Sequence, residues 1–144
     1  IFEHPANAFV ADFVGEPPMN FLEVEITGDA ERLALEREGF ATSVRTPARV
    51  EALEELDRRQ VTLGIRPLHI RPHLSQVDSA IPAQVYVVEP LDEFNIITAT
   101  VGGERLLVET APEVIPEIDQ TIWLTFPEEK LHFFHPDTGQ SLLF

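Results

Sequence analysis

Cysteine is absent from this 144-residue chain. That one absence excludes disulfides, thiolate zinc sites and cysteine nucleophiles together. Lysine is almost absent: Lys130 stands alone, and 10 basic residues face 25 acidic ones for a net charge of −15. Nucleic-acid binding depends on clustered Lys and Arg that neutralise phosphates, and no such cluster occurs, so no nucleic-acid partner is expected. An anionic membrane surface repels the chain for the same reason. No apolar run approaches the roughly 18–20 residues of a membrane helix, and no basic stretch leads into an apolar one as in a signal peptide. The sequence also lacks G-x-x-x-x-G-K-[S/T], G-x-G-x-x-G and G-x-S-x-G. It therefore offers no phosphate-cradling loop, dinucleotide turn or nucleophile elbow, and no catalytic, cofactor-binding or metal-binding residue is assigned.

What is present is apolar enough for a core: hydrophobic residues make up 44% of the chain, which suits a globular module rather than a disordered tail. The opening, Ile1-Phe2-Glu3, reads as mid-protein sequence, and a fragment of a longer protein is expected. His4 to Gly15 carries a helix signature, with Pro5 in the first turn and a Phe9, Val10, Phe13, Val14 stripe. Gly15 and Pro17-Pro18 then end it.

From Phe21 the hydrophobic period becomes two. Phe21–Ile26, Arg32–Glu36 and Phe40–Val44 read as strands with turns at Thr27-Gly28-Asp29 and Gly39. Thr46-Pro47 opens a short helix with Val50, Leu53 and Leu56 on one face, ending near Arg58-Arg59. Gln60–Arg66 is a strand stopped by Pro67. A polar, proline-bearing stretch from Pro72 to Ser79 separates two halves, and the strands Ala83–Val88, Asn95–Val101, Arg105–Glu109, Thr121–Phe126 and Leu131–His135 follow. Gly102-Gly103 has the chemistry of a two-residue hairpin turn, and Pro136-Asp137-Thr138-Gly139 makes another before Ser141. Short strands at this spacing, without a long crossover helix, predict an all-β barrel or sandwich with two short helices.

Few side chains stand out as chemistry. His69 and His73 are four apart, but Pro67 and Pro72 forbid the helix that would align them. His132 and His135 fall on opposite faces of a strand. The acidic pairs Glu54-Glu55, Asp92-Glu93 and Glu128-Glu129 are adjacent, hence divergent, and read as solvated surface. Trp123, in an apolar strand, is expected in the core.

Four blocks carry a family resemblance. Phe2-Glu3-His4-Pro5-Ala6-Asn7 through Pro17-Pro18-Met19-Asn20-Phe21-Leu22 resembles the exit from the ATPase domain of sugar-type ABC importers. Leu63-Gly64-Ile65-Arg66-Pro67-x-His69 is similar to that family's L-G-I-R-P-E-H, and Val88-Glu89-Pro90-Leu91 to its V-x-P-L-G. Leu131-His132-x-Phe134-x-Pro136-x-Thr138-Gly139-Gln140-Ser141-Leu142 resembles its closing L-H-L-F-D-x-x-T-G-x-x-L. Two positions depart from the pattern: Leu68 stands where a Glu is usual, and Asp92 where a Gly is usual.

The resemblance is to the C-terminal regulatory (TOBE/OB-like) region of the ATP-binding subunit in the maltose and glycerol-3-phosphate importer family. It implies a linker helix over 1–20 and a TOBE-type β domain over 21–144, built as two intertwined OB-like halves that meet near 72–80. It implies a non-catalytic module that pairs ATPase subunits and receives regulatory signals. ATP and Mg belong to the intact parent, and no cofactor is expected in this fragment. The implied partners are a second ATPase subunit in a homodimer, the membrane subunits of the transporter, and a regulatory protein. The implied place is the cytoplasmic face of the cell membrane. Gly64, Arg66, Pro67, His69 and Glu89 are the candidate contact residues. For Gly64 and Pro67 a purely backbone reason, close approach and strand termination, competes with that role. A barrel that senses a small ligand, a sugar or an anion, is the alternative function.

Overall fold

In the computed structural model, residues 18–142 are described; the expected helix over 4–15 lies outside them. Among the described residues, ten strands form two antiparallel five-stranded sheets. The first sheet takes β1 (Asn20–Thr27), β2 (Leu33–Arg37), β3 (Phe40–Val44), β4 (Gln60–Ile65) and β10 (His132–Phe134), in the order β10-β4-β1-β2-β3. The second takes β5 (Arg71–His73), β6 (Ile81–Pro90), β7 (Asn95–Val101), β8 (Glu104–Thr110) and β9 (Thr121–Thr125), in the order β5-β9-β6-β7-β8.

The period-two pattern does the sorting. Leu22, Val24 and Ile26 of β1 point inward while Glu23 and Glu25 point out, because alternate side chains of a strand take opposite faces. The inward rows of both sheets merge into one apolar core, from Leu33, Leu35, Leu63 and Phe133 on one side to Val85, Ile97, Val108, Ile122 and Leu124 on the other. Burying such rows is the main favourable contribution to folding, about 1.5–3 kcal/mol for each large aliphatic side chain. Helix α1 (Pro47–Glu54) covers one end of this core through Val50 and Leu53, with Leu56 packed beside them. It stops at Glu54, short of the expected Arg58-Arg59.

The sheets are also interlocked. The C-terminal strand β10 returns to the first sheet, pairing His132, Phe133 and Phe134 with Gly64, Leu63 and Thr62 of β4. Asn20, at the start of β1, brackets Leu107 of β8: its amide donates to the Leu107 carbonyl and its carbonyl accepts the Leu107 N–H, each at 2.8 Å. A side-chain amide thereby satisfies the outer edge of the second sheet as a neighbouring strand would. Where the β2–β3 and β7–β8 turns meet, a Cβ on Gly39 would lie 2.8 Å from the Gly102 Cα. Gly102 and Gly103 both have positive φ, 52° and 86°, the two-residue turn whose twist matches its flanking strands.

Four further expectations need correction. The stretch from Pro72 to Ser79, expected to separate two halves, begins inside β5, which pairs with β9. Trp123 is only half-buried: its neighbours Ile122 and Leu124 point into the core, so Trp123 points out, opposite Pro82 and His73. Apolar composition alone predicts burial on both faces, but this sheet buries one. Glu128 is not a free surface carboxylate, as described below. The strand placed at Ala83–Val88 runs over Ile81–Pro90, with a bulge between Val85 and Val87.

Candidate functional site

Four of the five candidate residues fall together where β4 ends. Gly64 lies in the interior of the first sheet, between Phe21 of β1 and His132 of β10. All three point to the sheet's outer face, as does Phe134 two residues on. A Cβ on Gly64 would lie 2.7 Å from the Met19 Sδ and 2.8 Å from the Phe134 Cε2. Phe134 is 0% exposed, meets Phe21 edge-to-face at 5.9 Å between centroids and stacks on His132 at 6.3 Å. Met19 and the aromatic cluster occupy the space of the side chain that Gly64 lacks, which gives a backbone reason for glycine at this position.

Beyond Ile65 the chain turns. Arg66 is extended, as a residue before proline must be, and Pro67–His69 forms a 3₁₀ turn closed by the His69 N–H donating to the Arg66 carbonyl at 2.9 Å. Pro67 is buried and the turn packs on β8. Leu68, in place of the usual Glu, crowns this turn at 61% exposure. Glu89 is not part of the group: it lies exposed on β6 in the other sheet, opposite Ile96. Asp92, in place of the usual Gly, sits outside the left-handed region, so the turn closed by the Leu91 N–H to the Phe94 carbonyl at 2.8 Å needs no glycine there.

The histidines are scattered. His69 is in the 3₁₀ turn and His73 in β5, where its Nε2 lies 3.1 Å from the Thr125 hydroxyl. His135 follows β10, its Nδ1 accepting the Asp137 and Thr138 N–H groups of the next turn. Its Nε2 lies 3.5 Å from Asp57.

The outer face of the first sheet also holds a cleft of about 590 Å³, lined by Glu23, Glu25, Glu36, Glu38, Arg37 and Gln60. Its one cation is already engaged, since Arg37 donates to the Glu23 carbonyl at 3.3 Å and meets Glu104 at 3.4 Å. The cleft is acidic.

A polar joint at the other end was missed from the sequence. The Glu128 carboxylate accepts the N–H groups of Arg45 and Thr46 at 2.9 and 2.8 Å, just ahead of α1. Arg49 of α1 donates to the Leu131 carbonyl at 2.7 Å and to that of Glu129 at 3.2 Å, and lies 5.5 Å from the Phe133 ring centroid. Partial burial pushes the Glu128 carboxyl upward. The Thr46 hydroxyl, the two N–H groups and the Arg49 guanidinium outweigh it and hold Glu128 below the ordinary carboxylate range. Burial lowers Arg49 from its usual value, against the pull of Glu128 and Glu129. The partners are 82 and 83 residues apart, so no local spacing could have shown the joint. It fastens α1 to the segment that leads into β10.

Comparison with known proteins places this architecture. Residues 63–134 match the TOBE domain family and residues 15–70 the MalK OB fold domain. The sn-glycerol-3-phosphate import ATP-binding protein UgpC of Salmonella typhi is 36% identical over 142 residues, and that of Escherichia coli O157:H7 is 34% identical. Each alignment covers 99% of this chain and 38% of the relative, so the chain spans well under half the length of the curated relatives it matches. Among solved structures, the cytoplasmic molybdate-binding protein ModG, with molybdate bound, superposes with a TM-score of 0.67 at 11% identity. That superposition covers 81% of this chain and 96% of ModG, and at such low identity it speaks to the fold alone.

Proposed function

The chain belongs to the TOBE domain family, and from that premise we propose that it is the regulatory and dimerisation module of an ABC importer's ATP-binding subunit. The subunit would energise uptake of sugars, glycerol phosphates or related polyols. The observation that carries this reading is the end-to-end likeness, 99% of the chain, to import ATP-binding proteins. The shared core and the returning β10 join both halves into one packed unit. A module of this kind transmits the position of one surface to another without chemistry of its own. ATP, Mg and the membrane subunits belong to the rest of the subunit's working cycle, at the cytoplasmic face of the membrane.

Pairing is the testable part. Closed two-fold dimers are the commonest soluble homo-oligomers, but two copies each carrying −15 repel. Association should therefore strengthen as salt rises toward 1 M, where the screening length falls to about 3 Å. Sedimentation of the chain at several concentrations and two salt levels reads this directly. A strict monomer at high concentration and high salt refutes the pairing role.

The acidic cleft on the first sheet supports a second reading, a sensor for a small ligand. Its size suits a sugar unit, and four carboxylates on its walls speak against an oxyanion such as the one ModG binds. Calorimetric titration with neutral sugars and with molybdate separates the two.

A further inference from the structure

Among the described residues, eight large hydrophobic side chains are exposed, and five of them lie on or just past the middle strand β6 of the second sheet and on the loop tied to it. Tyr86, Val87 and Leu91 lie on β6 and just past its end. Ile115 and Ile118, 68% and 63% exposed, lie on the loop between β8 and β9. Two sets of bonds hold that loop against β6. At one end the Asn95 amide donates to the Pro112 and Val114 carbonyls, both at 3.0 Å, and Asn95 is the register partner of Pro90. At the other end the Asp119 N–H donates to the Val85 carbonyl at 2.7 Å, and the Val85 N–H to the Gln120 carbonyl at 2.9 Å. Residues 115–118 thus run beside the outer half of β6, past the point where the β9 ladder ends at Gln84 opposite Thr121. The bulge between Val85 and Val87 turns Tyr86 outward there, as bulges re-aim side chains. The Arg105 guanidinium lies 3.7 Å from the Tyr86 ring centroid and props one face of it.

Apart from Arg105, the charged residues along this apolar strip are acidic. Glu89, Asp92 and Glu93 flank it on the hairpin side, and Glu113, Glu117 and Asp119 on the loop side. From residue 74 to residue 129 the chain has no lysine, and Arg105 is its only arginine. An exposed apolar strip with a polar rim marks an interaction surface. Its partner must bring apolar side chains to the strip and positive charge to the rim.

We propose that the Tyr86–Leu91 and Ile115–Ile118 surface docks a basic amphipathic segment of a different protein. A second copy of this chain is disfavoured as the occupant, because it would set the same six carboxylates against one another. An anionic membrane is repelled for the same reason. The inference names a partner class for the regulatory reading, and its test is separable: peptide binding by a strict monomer leaves it standing while the pairing role fails.

The probe is a fluorescein-labelled 18-residue amphipathic helix of leucine and lysine, with a leucine–glutamate version as control, titrated against this chain by anisotropy. Saturable binding of the lysine peptide alone is expected. Ile115→Ser combined with Ile118→Ser should weaken it about tenfold or more, since both side chains would be buried only in the complex. Glu113→Gln with Glu117→Gln should weaken it about threefold and reduce its salt dependence. Glu51→Gln with Glu55→Gln, exposed on and just past α1, should leave it unchanged, and circular dichroism checks that all variants keep the fold. No binding, equal binding by the Ser variant, or equal weakening by the Glu51/Glu55 pair overturns the proposal, the last by showing attraction to net charge alone. It is overturned equally if the Ser variant loses self-association in sedimentation while peptide affinity stays unchanged.

Discussion

Replacing Gly64 by alanine isolates one methyl group in a known setting. Its φ is not in the left-handed region, so the substitution meets no backbone strain. On backbone entropy alone it should stabilise by about 0.4–1 kcal/mol. Packing opposes this. The new Cβ would lie 2.7 Å from the Met19 Sδ and 2.8 Å from the Phe134 Cε2, both well inside van der Waals contact. Met19 can swing its flexible thioether aside. Phe134 cannot yield as easily, because it is 0% exposed and wedged between Phe21 and His132. Overpacking of this kind costs about 1–3 kcal/mol, so the net expectation is destabilisation of about 1–2 kcal/mol. For a domain of this size that lowers Tm by about 3–8 °C. Thermal and urea unfolding measure it, and Met19→Ala in the same chain should recover at least about 0.5 kcal/mol if the two side chains collide. Gly64→Ala with unchanged or raised Tm would refute the packing account.

Three further outcomes follow from the same geometry. Glu128→Gln should destabilise by about 1 kcal/mol at neutral pH by weakening the acceptor for the Arg45 and Thr46 N–H groups. Glu128 is held below the ordinary value of 4.5, so its contribution is present above that pH and lost as pH falls through the lower folded value. The gap between parent and variant in urea midpoint should therefore close in acid, and a gap that stays constant down to pH 3 refutes the joint. Asn20→Ala should cost about 1–3 kcal/mol by stripping both bonds from the Leu107 backbone. Asn20→Asp should be no better, since a carboxylate cannot donate to the Leu107 carbonyl; equal stability of Asp and parent in denaturant melts would contradict the bracket. Gly102→Ala should be the most damaging glycine change, about 3 kcal/mol or more, because a methyl there overlaps the Glu38 carbonyl. Gly103→Ala, with no atom within 4 Å, should cost only the positive-φ penalty of about 1 kcal/mol.

The aromatic and carboxylate residues divide between what sequence and structure each decided. Period-two alternation was enough for β1, β2, β3 and the later strands except the three-residue β5, because a sheet with one buried face imposes that period residue by residue. Gly102-Gly103 declared its hairpin for an equally local reason, since few other residue pairs accept positive φ twice. The blocks around Leu63–His69 and Leu131–Leu142 declared the family. By itself, then, the chain determined its strands, its turns and its kinship. It could not show that β10 returns to pair with β4, that Asn20 closes the edge of β8, or that Glu128 holds the start of α1. Each joins residues roughly 70 to 90 positions apart, and no periodicity or short motif encodes such a meeting. The same limit misplaced Trp123, whose apolar neighbours are buried while its own side of the strand is not. It also hid the strip from Tyr86 to Ile118, whose apolar residues are separated in sequence and come together only where a loop is tied along a strand. Local chemistry sets which face of an element is apolar; tertiary packing decides which of those faces remains uncovered.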